Sequence, residues 1–179
     1  MKLNKILDSC IEEWNNVLRN KKHPYRFFTL ATSYNNMPSI RIVVLRDFNF
    51  DTMDFTIYTD ARSSKIFSIK NNAKISLLFY DSEKRIQVRV QANCILFQED
   101  DLLFEKQPLD SQKAYNTDLA PGTPIDSITS VSFLKKENHF IKLVFRANEI
   151  DFLKLNKDNH VRAYFKFTNS NWQGEFRVP

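Results

Sequence analysis

A chain of 179 residues, 42% apolar and 26% charged, is long enough for one well-filled core and lacks the compositional bias of disorder. Two glycines all but exclude the glycine-rich phosphate loops of dinucleotide-binding and P-loop folds, which need several positions without a Cβ. A formal charge of +5, sixteen phenylalanines and two cysteines describe a mildly basic, strand-prone chain without a disulfide framework.

Residues 2–20 place Ile6, Leu7, Cys10, Ile11, Trp14, Val17 and Leu18 at helical spacing, with Glu12, Asn15 and Arg19 opposite. That pattern predicts an amphipathic helix packed on the body, ended by Lys21 to Pro24. The opening MKLNKILDSCIEEW is interrupted by charge and lacks a signal peptide's apolar segment. No apolar run nears the roughly 20 residues that span a bilayer. A soluble protein in a reducing cytoplasm, without a membrane partner, is expected.

Strands over 27–33 and 39–46 turn about Asn35, Asn36 and Pro38, and a short charged link leads to a third strand over 54–59. Residues 60–72 read as a loop and a short helix opening near Ser63. Strands over 73–80 and 85–98 form a hairpin across Asp81–Lys84, and the second puts Arg85, Gln87, Arg89 and Gln91 on one face. Residues 99–118 are helical in character, 119–130 are a loop with Pro121, Gly122 and Pro124, and 130–139 fit helix better than strand. The last third returns to strands at FIKLVFRA, EIDFLKL, HVRAYFKF and WQGEFRV. The whole reads as one domain over 1–179, of α+β class and dominated by an antiparallel β-barrel, with an N-terminal helix and helical connections.

The chemistry concentrates between Arg41 and Val90. Tyr58-Thr59-Asp60-Ala61-Arg62-Ser63-Ser64-Lys65 delivers a strand to a helix N-terminus with two hydroxyls and an ammonium, a natural seat for a phosphate. Ser63 as a simple N-cap remains the competing reading. Arg41 and Arg46 have opposite strand parity, so they share a ligand only across a bulge or strand end; otherwise they are solvated edge residues. Gln87 has an amide able to donate and accept at the edge of a heterocycle. His160 and Arg162 lie two apart on an expected strand and so share a face. The three histidines and two cysteines lack metal-ligand spacing, and no serine sits in a nucleophile elbow. The aromatics fall on apolar faces and suit a core better than a base-stacking platform, so no nucleic-acid partner is expected.

RIVVLR, FTIYTDARSSK, NNAKISLLFY, RIQVRV and the closing NWQGEFRVP stand in an order and spacing that resemble the pyridoxamine 5′-phosphate oxidase-like family of FMN proteins. The resemblance covers about residues 25–179. It implies an FMN-binding split barrel that forms a homodimer with FMN at the subunit interface. It assigns cofactor contacts to Arg41, Arg46, Tyr58, Thr59, Ser63, Ser64, Lys65, Gln87 and Arg162, and substrate contacts to Ser111 and His160.

The departures from the family are specific. Ser64 stands where the family has an arginine, and Arg62 is the nearest cation that could substitute. Arg46 replaces a lysine, and Leu153 falls at a flavin-stacking Trp. On the substrate side, Leu103 and Gln107 occupy places of a Tyr and an Arg that grip a phosphate, and Asp158 that of an arginine over the substrate ring. The resemblance therefore implies an FMN-dependent oxidoreductase acting on a small molecule through a diverged substrate site. The alternatives are an authentic pyridoxamine/pyridoxine 5′-phosphate oxidase or a flavin-binding protein without turnover. The flavin ring does the redox chemistry, and no side chain is obligatory as a general base, so no catalytic residue is assigned.

Overall fold

The computed structural model describes residues 2–135 and 137–179. Helix α1, Leu3–Arg19, buries Ile6, Cys10, Trp14 and Val17 along one stripe, the spacing that a 3.6-residue period requires. Trp14 anchors it, with ring centroids 5.3 Å from Phe48, 4.9 Å from Phe55 and 5.6 Å from Phe79. Phe48, Phe55 and Phe79 thus form the seam between this helix and the sheet.

The strands are β1 (Phe27–Tyr34), β2 (Met37–Val44), β3 (Asp47–Asn49), β4 (Asp54–Asp60), β5 (Lys74–Asp81), β6 (Ile86–Gln98), β7 (Phe140–Lys154), β8 (Val161–Thr168) and β9 (Asn171–Arg177). They form one antiparallel sheet in the order β2-β1-β5-β6-β7-β4-β3, with β8 added to β7 and β9 to β8. Among the described residues the sheet is not closed by pairing between its ends β2 and β3. This is the open, split form of the barrel expected from the sequence.

Strand β7 is where the sheet divides. It pairs with β6 along its length, while its first half also pairs with β4 and its second half with β8. The chain was expected to break between FIKLVFRA and EIDFLKL; instead a register shift near Ala147 and Glu149 keeps it continuous. The extra residue, Asn148, switches parity. Leu143, Phe145 and Ala147 are buried before it, Ile150 and Phe152 after it. A bulge is the only way that both sets can face one core.

Two expectations are corrected. Residues 99–118 are not one helical run but the short helices α3 (Asp101–Glu105) and α4 (Leu109–Gln112) followed by a 3-10 turn. Pro108 separates them, because it lacks an N–H and disfavours helix at the residue before it. Apart from Ser130, which ends a 3-10 turn over Ile128–Ser130, residues 130–139 are not helical where described, and Lys136 lies outside the described residues. Phe133 pairs with Thr117 as an isolated bridge, and backbone bonds Asp118 N–H to Ser132 O and Leu134 N–H to Asn116 O tie this segment to the one before the loop. Pairing between these two distant segments of the chain overrides the local pattern here.

Candidate phosphate cradle and sheet face

Strand β4 runs into helix α2, Ser64–Asn71, through the turn at Asp60–Ser63. Ser63 stands at the N-cap with extended backbone, yet its side chain makes no capping bond. Its buried hydroxyl instead accepts from Lys65 Nζ at 3.0 Å and lies 3.5 Å from Thr59 Oγ1. Lys65 Nζ also donates to Thr59 Oγ1 at 2.8 Å. Among the described residues no carboxylate lies within ion-pair distance of Lys65. Burial first, and the nearby Arg41 charge second, lower the Lys65 pKa from its usual value, with Asp60 acting against them.

Arg41 lies on edge strand β2, half-buried, with parity that turns it to the core side beside Leu30 and Thr32. It donates to Thr32 Oγ1 at 2.8 Å, to Ser39 Oγ at 2.6 Å and to the Ser39 carbonyl at 3.0 Å. Burial lowers its pKa. Neither Thr32 nor Ser39 was singled out from the sequence. The available signal was parity, since Thr32 pairs with Ser39 and shares Leu30's face.

The parity conflict between Arg41 and Arg46 is relieved by a strand end, because β2 stops at Val44. Arg46 follows outside the strand, its N–H bonded to Thr56 O. Its guanidinium lies 5.5 Å from the Tyr58 ring centroid, and its buried Nε has no hydrogen-bond partner among the described residues. Tyr58 faces away from Thr59 and packs on Phe140 at 4.9 Å. Its hydroxyl pKa is raised by burial and by Asp47, with Arg46 opposing.

Ser64 is exposed in the first turn of α2, and only its carbonyl is engaged, by Ser68. Arg62 does not reach into the cradle. Its guanidinium bonds Asp60 and the carbonyls of Thr117 and Asp118. Asp60, buried at the end of β4, escaped the sequence reading, where an acid at a strand end resembles any turn residue.

Gln87 and Arg162 lie elsewhere. The row Tyr80–Gln87–Leu153–Arg162–Arg177 runs across the sheet's outer face. Next to it, Arg89 and Arg162 both bond Asp151, at 2.6 Å and 2.8 Å to one oxygen. Burial works to raise the Asp151 carboxyl, but these arginines outweigh it and hold its pKa below the usual value. A cavity of about 290 Å³ opens here, lined by Arg89, Asp151, Arg162, Tyr164 and Arg177 among others. His160 precedes β8 in an exposed turn, its Nδ1 accepting from Asn156 N–H, so it does not share a strand face with Arg162. Ser111 is part-buried on α4.

Residues 4–98 match the family model described as pyridoxamine 5′-phosphate oxidase, FMN-binding domain. The chain belongs to this family. FMN is the family's cofactor, and the cradle suits its phosphate: an ammonium and a guanidinium, both partly desolvated, face hydroxyls and lack an acid partner among the described residues. The chain is 48% identical over 62 residues to the pyridoxine/pyridoxamine 5′-phosphate oxidase of Pelagibacter ubique, covering 34% of this chain and 29% of that protein. It is 30% identical over 112 residues to that of Psychrobacter cryohalolentis, covering 62% and 48%. The matched region thus spans less than half the length of these relatives. The fold matches a pyridoxamine 5′-phosphate oxidase-related, FMN binding protein from Nostoc punctiforme with TM-score 0.78, 22% identity and 96% coverage of both chains. It also matches PhzG from Burkholderia lata, solved in complex with tetrahydrophenazine-1-carboxylic acid, with TM-score 0.77, 14% identity and coverage of 96% and 91%.

Proposed function

We propose that this protein is a cytoplasmic FMN-dependent oxidoreductase that works as a homodimer on a small molecule other than a vitamin B6 phosphate. The observation that carries the cofactor assignment is the Lys65 ammonium, part-buried on the hydroxyls of Thr59 and Ser63 with Arg41 beside it. In this reading Arg41, Thr59, Ser63 and Lys65 hold the phosphate, with Ser64 at the rim of the same helix end. Arg46 and Tyr58 flank the cradle, and the orphaned Arg46 Nε awaits an acceptor. Bound FMN supplies a ring that exchanges a hydride with substrate. Gln87 and Arg162 orient that ring from the face of a second subunit, since within one chain they lie on the sheet face opposite Thr59. The two buried cysteines are unpaired, in keeping with a reducing compartment.

The substrate side supports divergence. The Gln107 amide, just past the end of α3, donates back to the Leu103 carbonyl of that helix, and Asp158 is exposed. Neither brings a cation to a substrate phosphate, which leaves Ser111 and His160 as the substrate contacts of this reading. Purified protein loaded with FMN should show flavin absorbance and a raised melting temperature, about 2.7 kcal/mol of added stability at 100 times the dissociation constant. It should turn over pyridoxine 5′-phosphate poorly, while dithionite still reduces its flavin. The combined Leu103→Tyr, Gln107→Arg and Asp158→Arg variant should raise that activity more than any single change, because groups gripping one phosphate act together. Efficient wild-type turnover would instead identify an authentic pyridoxine phosphate oxidase.

A further inference from the structure

The turn between β4 and α2 holds one buried acid and two cations, and they are unevenly paired. The Asp60 carboxylate, 3% exposed, is occupied by Arg62. Its Oδ1 accepts from Arg62 N–H at 2.7 Å and from Nε at 3.1 Å, and its Oδ2 from a terminal guanidinium nitrogen at 2.8 Å. The rest of the guanidinium is anchored on the far side, donating to Thr117 O at 2.8 Å and Asp118 O at 2.9 Å. All three guanidinium nitrogens are therefore engaged within the protein. Lys65, a few residues on, is left with two neutral hydroxyls as partners.

We propose that Arg62 is a positioning residue that keeps Asp60 occupied, so that the Lys65 ammonium stays free for the cofactor phosphate. This rests on the phosphate-cradle reading above. A buried carboxylate stripped of its partner draws in the nearest mobile cation, because an unpaired buried charge is costly. Lys65 is a cation whose charge Asp60 already acts on: its side chain is flexible, and its present bonds to neutral hydroxyls are weaker than a bond to a carboxylate. An ammonium neutralised by Asp60 has little attraction left for a phosphate. Arg62 thus does not replace the arginine absent at Ser64 by touching the ligand. It acts on Lys65 through Asp60.

Two readouts test this, one without flavin. In the cofactor-free protein, NMR of labelled lysine side chains follows the Lys65 titration. Its midpoint should rise in Arg62→Ala, as the bare carboxylate takes the ammonium, and fall back in Asp60→Asn/Arg62→Ala. In flavin titrations, Arg62→Ala should weaken FMN about tenfold or more and riboflavin little. The double variant should bind FMN within about threefold of wild type. Asp60→Asn alone, which leaves no buried charge to satisfy, should keep FMN affinity. A Lys65 midpoint unmoved in Arg62→Ala overturns the proposal. So does a folded double variant as weak as Arg62→Ala, or loss of FMN in Asp60→Asn, since both would make Arg62 a brace for the 117–118 segment. Failure of wild type to bind FMN would remove the cofactor assignment, while the lysine titration would still decide the link between Arg62, Asp60 and Lys65.

Discussion

Lys65 is held so that its charge depends on what it binds. Burial and the Arg41 charge lower its pKa, so the folded protein binds that proton less well than the unfolded chain does. The sign follows by linkage: Lys65 costs stability below its depressed pKa, and the cost is relieved as pH rises toward the ordinary lysine value. A phosphate dianion reverses the bias, because it favours the ammonium. FMN affinity should therefore fall as pH rises through the depressed Lys65 pKa, below the usual lysine range. Riboflavin, without a phosphate, should show no such fall. Lys65→Ala should flatten the FMN profile and cost about 1.5–3 kcal/mol of FMN binding. Fluorescence titrations of both flavins across pH measure this, and equal losses for the two ligands would place Lys65 away from the phosphate. Burial pushes the thiols of Cys10 up to about 12 and Cys94 up to about 11. Neither should react with a thiol reagent at neutral pH until the protein unfolds.

At the level of elements, the hairpin of β8 and β9 depends on one missing side chain. Gly174 pairs with Phe165, and a Cβ there would sit 2.6 Å from two atoms of that buried ring. Gly174→Ala should therefore destabilise the fold by about 1–3 kcal/mol, the usual range for overpacking, measurable as a shift in the denaturant midpoint. An unchanged midpoint would mean that the Phe165 ring is free to move. The glycine's place in WQGEFRV was visible in the sequence, but its partner was not, because cross-strand register is a long-range property. The same limit explains the joined β7, whose bulge at Asn148 only the facing strand β6 makes necessary. Helix α1 and the β5–β6 hairpin were legible from local periodicity alone. The strand-to-helix turn carrying Thr59, Ser63 and Lys65 was legible because hydroxyls and an ammonium at a helix start form a local pattern. The Asp60–Arg62 pair was not, since its meaning depends on carbonyls more than fifty residues away.

The molecule as a whole presents a sheet face that a lone chain leaves uncovered. The row Ile42–Thr29–Leu78–Arg89–Asp151–Tyr164–Glu175 crosses seven strands on this face. Its β2 end is apolar, with Ile40 72% and Ile42 71% exposed and Phe27 close behind at 59%. Its β8–β9 end carries the arginines and acids of the Asp151 cluster. Pairing two such faces about a twofold axis would cover this apolar surface, in line with the homodimer proposed above. We expect a homodimer at micromolar concentration by sedimentation. The Ile40→Glu/Ile42→Glu variant should be monomeric, because it sets charges on a surface that must lose its water on pairing. That variant leaves Arg41, Thr59, Ser63 and Lys65 in place, so it separates assembly from the cradle. If the ring is held by the second subunit, the monomer should bind FMN much more weakly than the dimer, with a loss that raised protein concentration partly reverses. A variant that is monomeric and still binds FMN with wild-type affinity would show that one chain suffices, and that Gln87 and Arg162 serve the sheet face rather than the flavin.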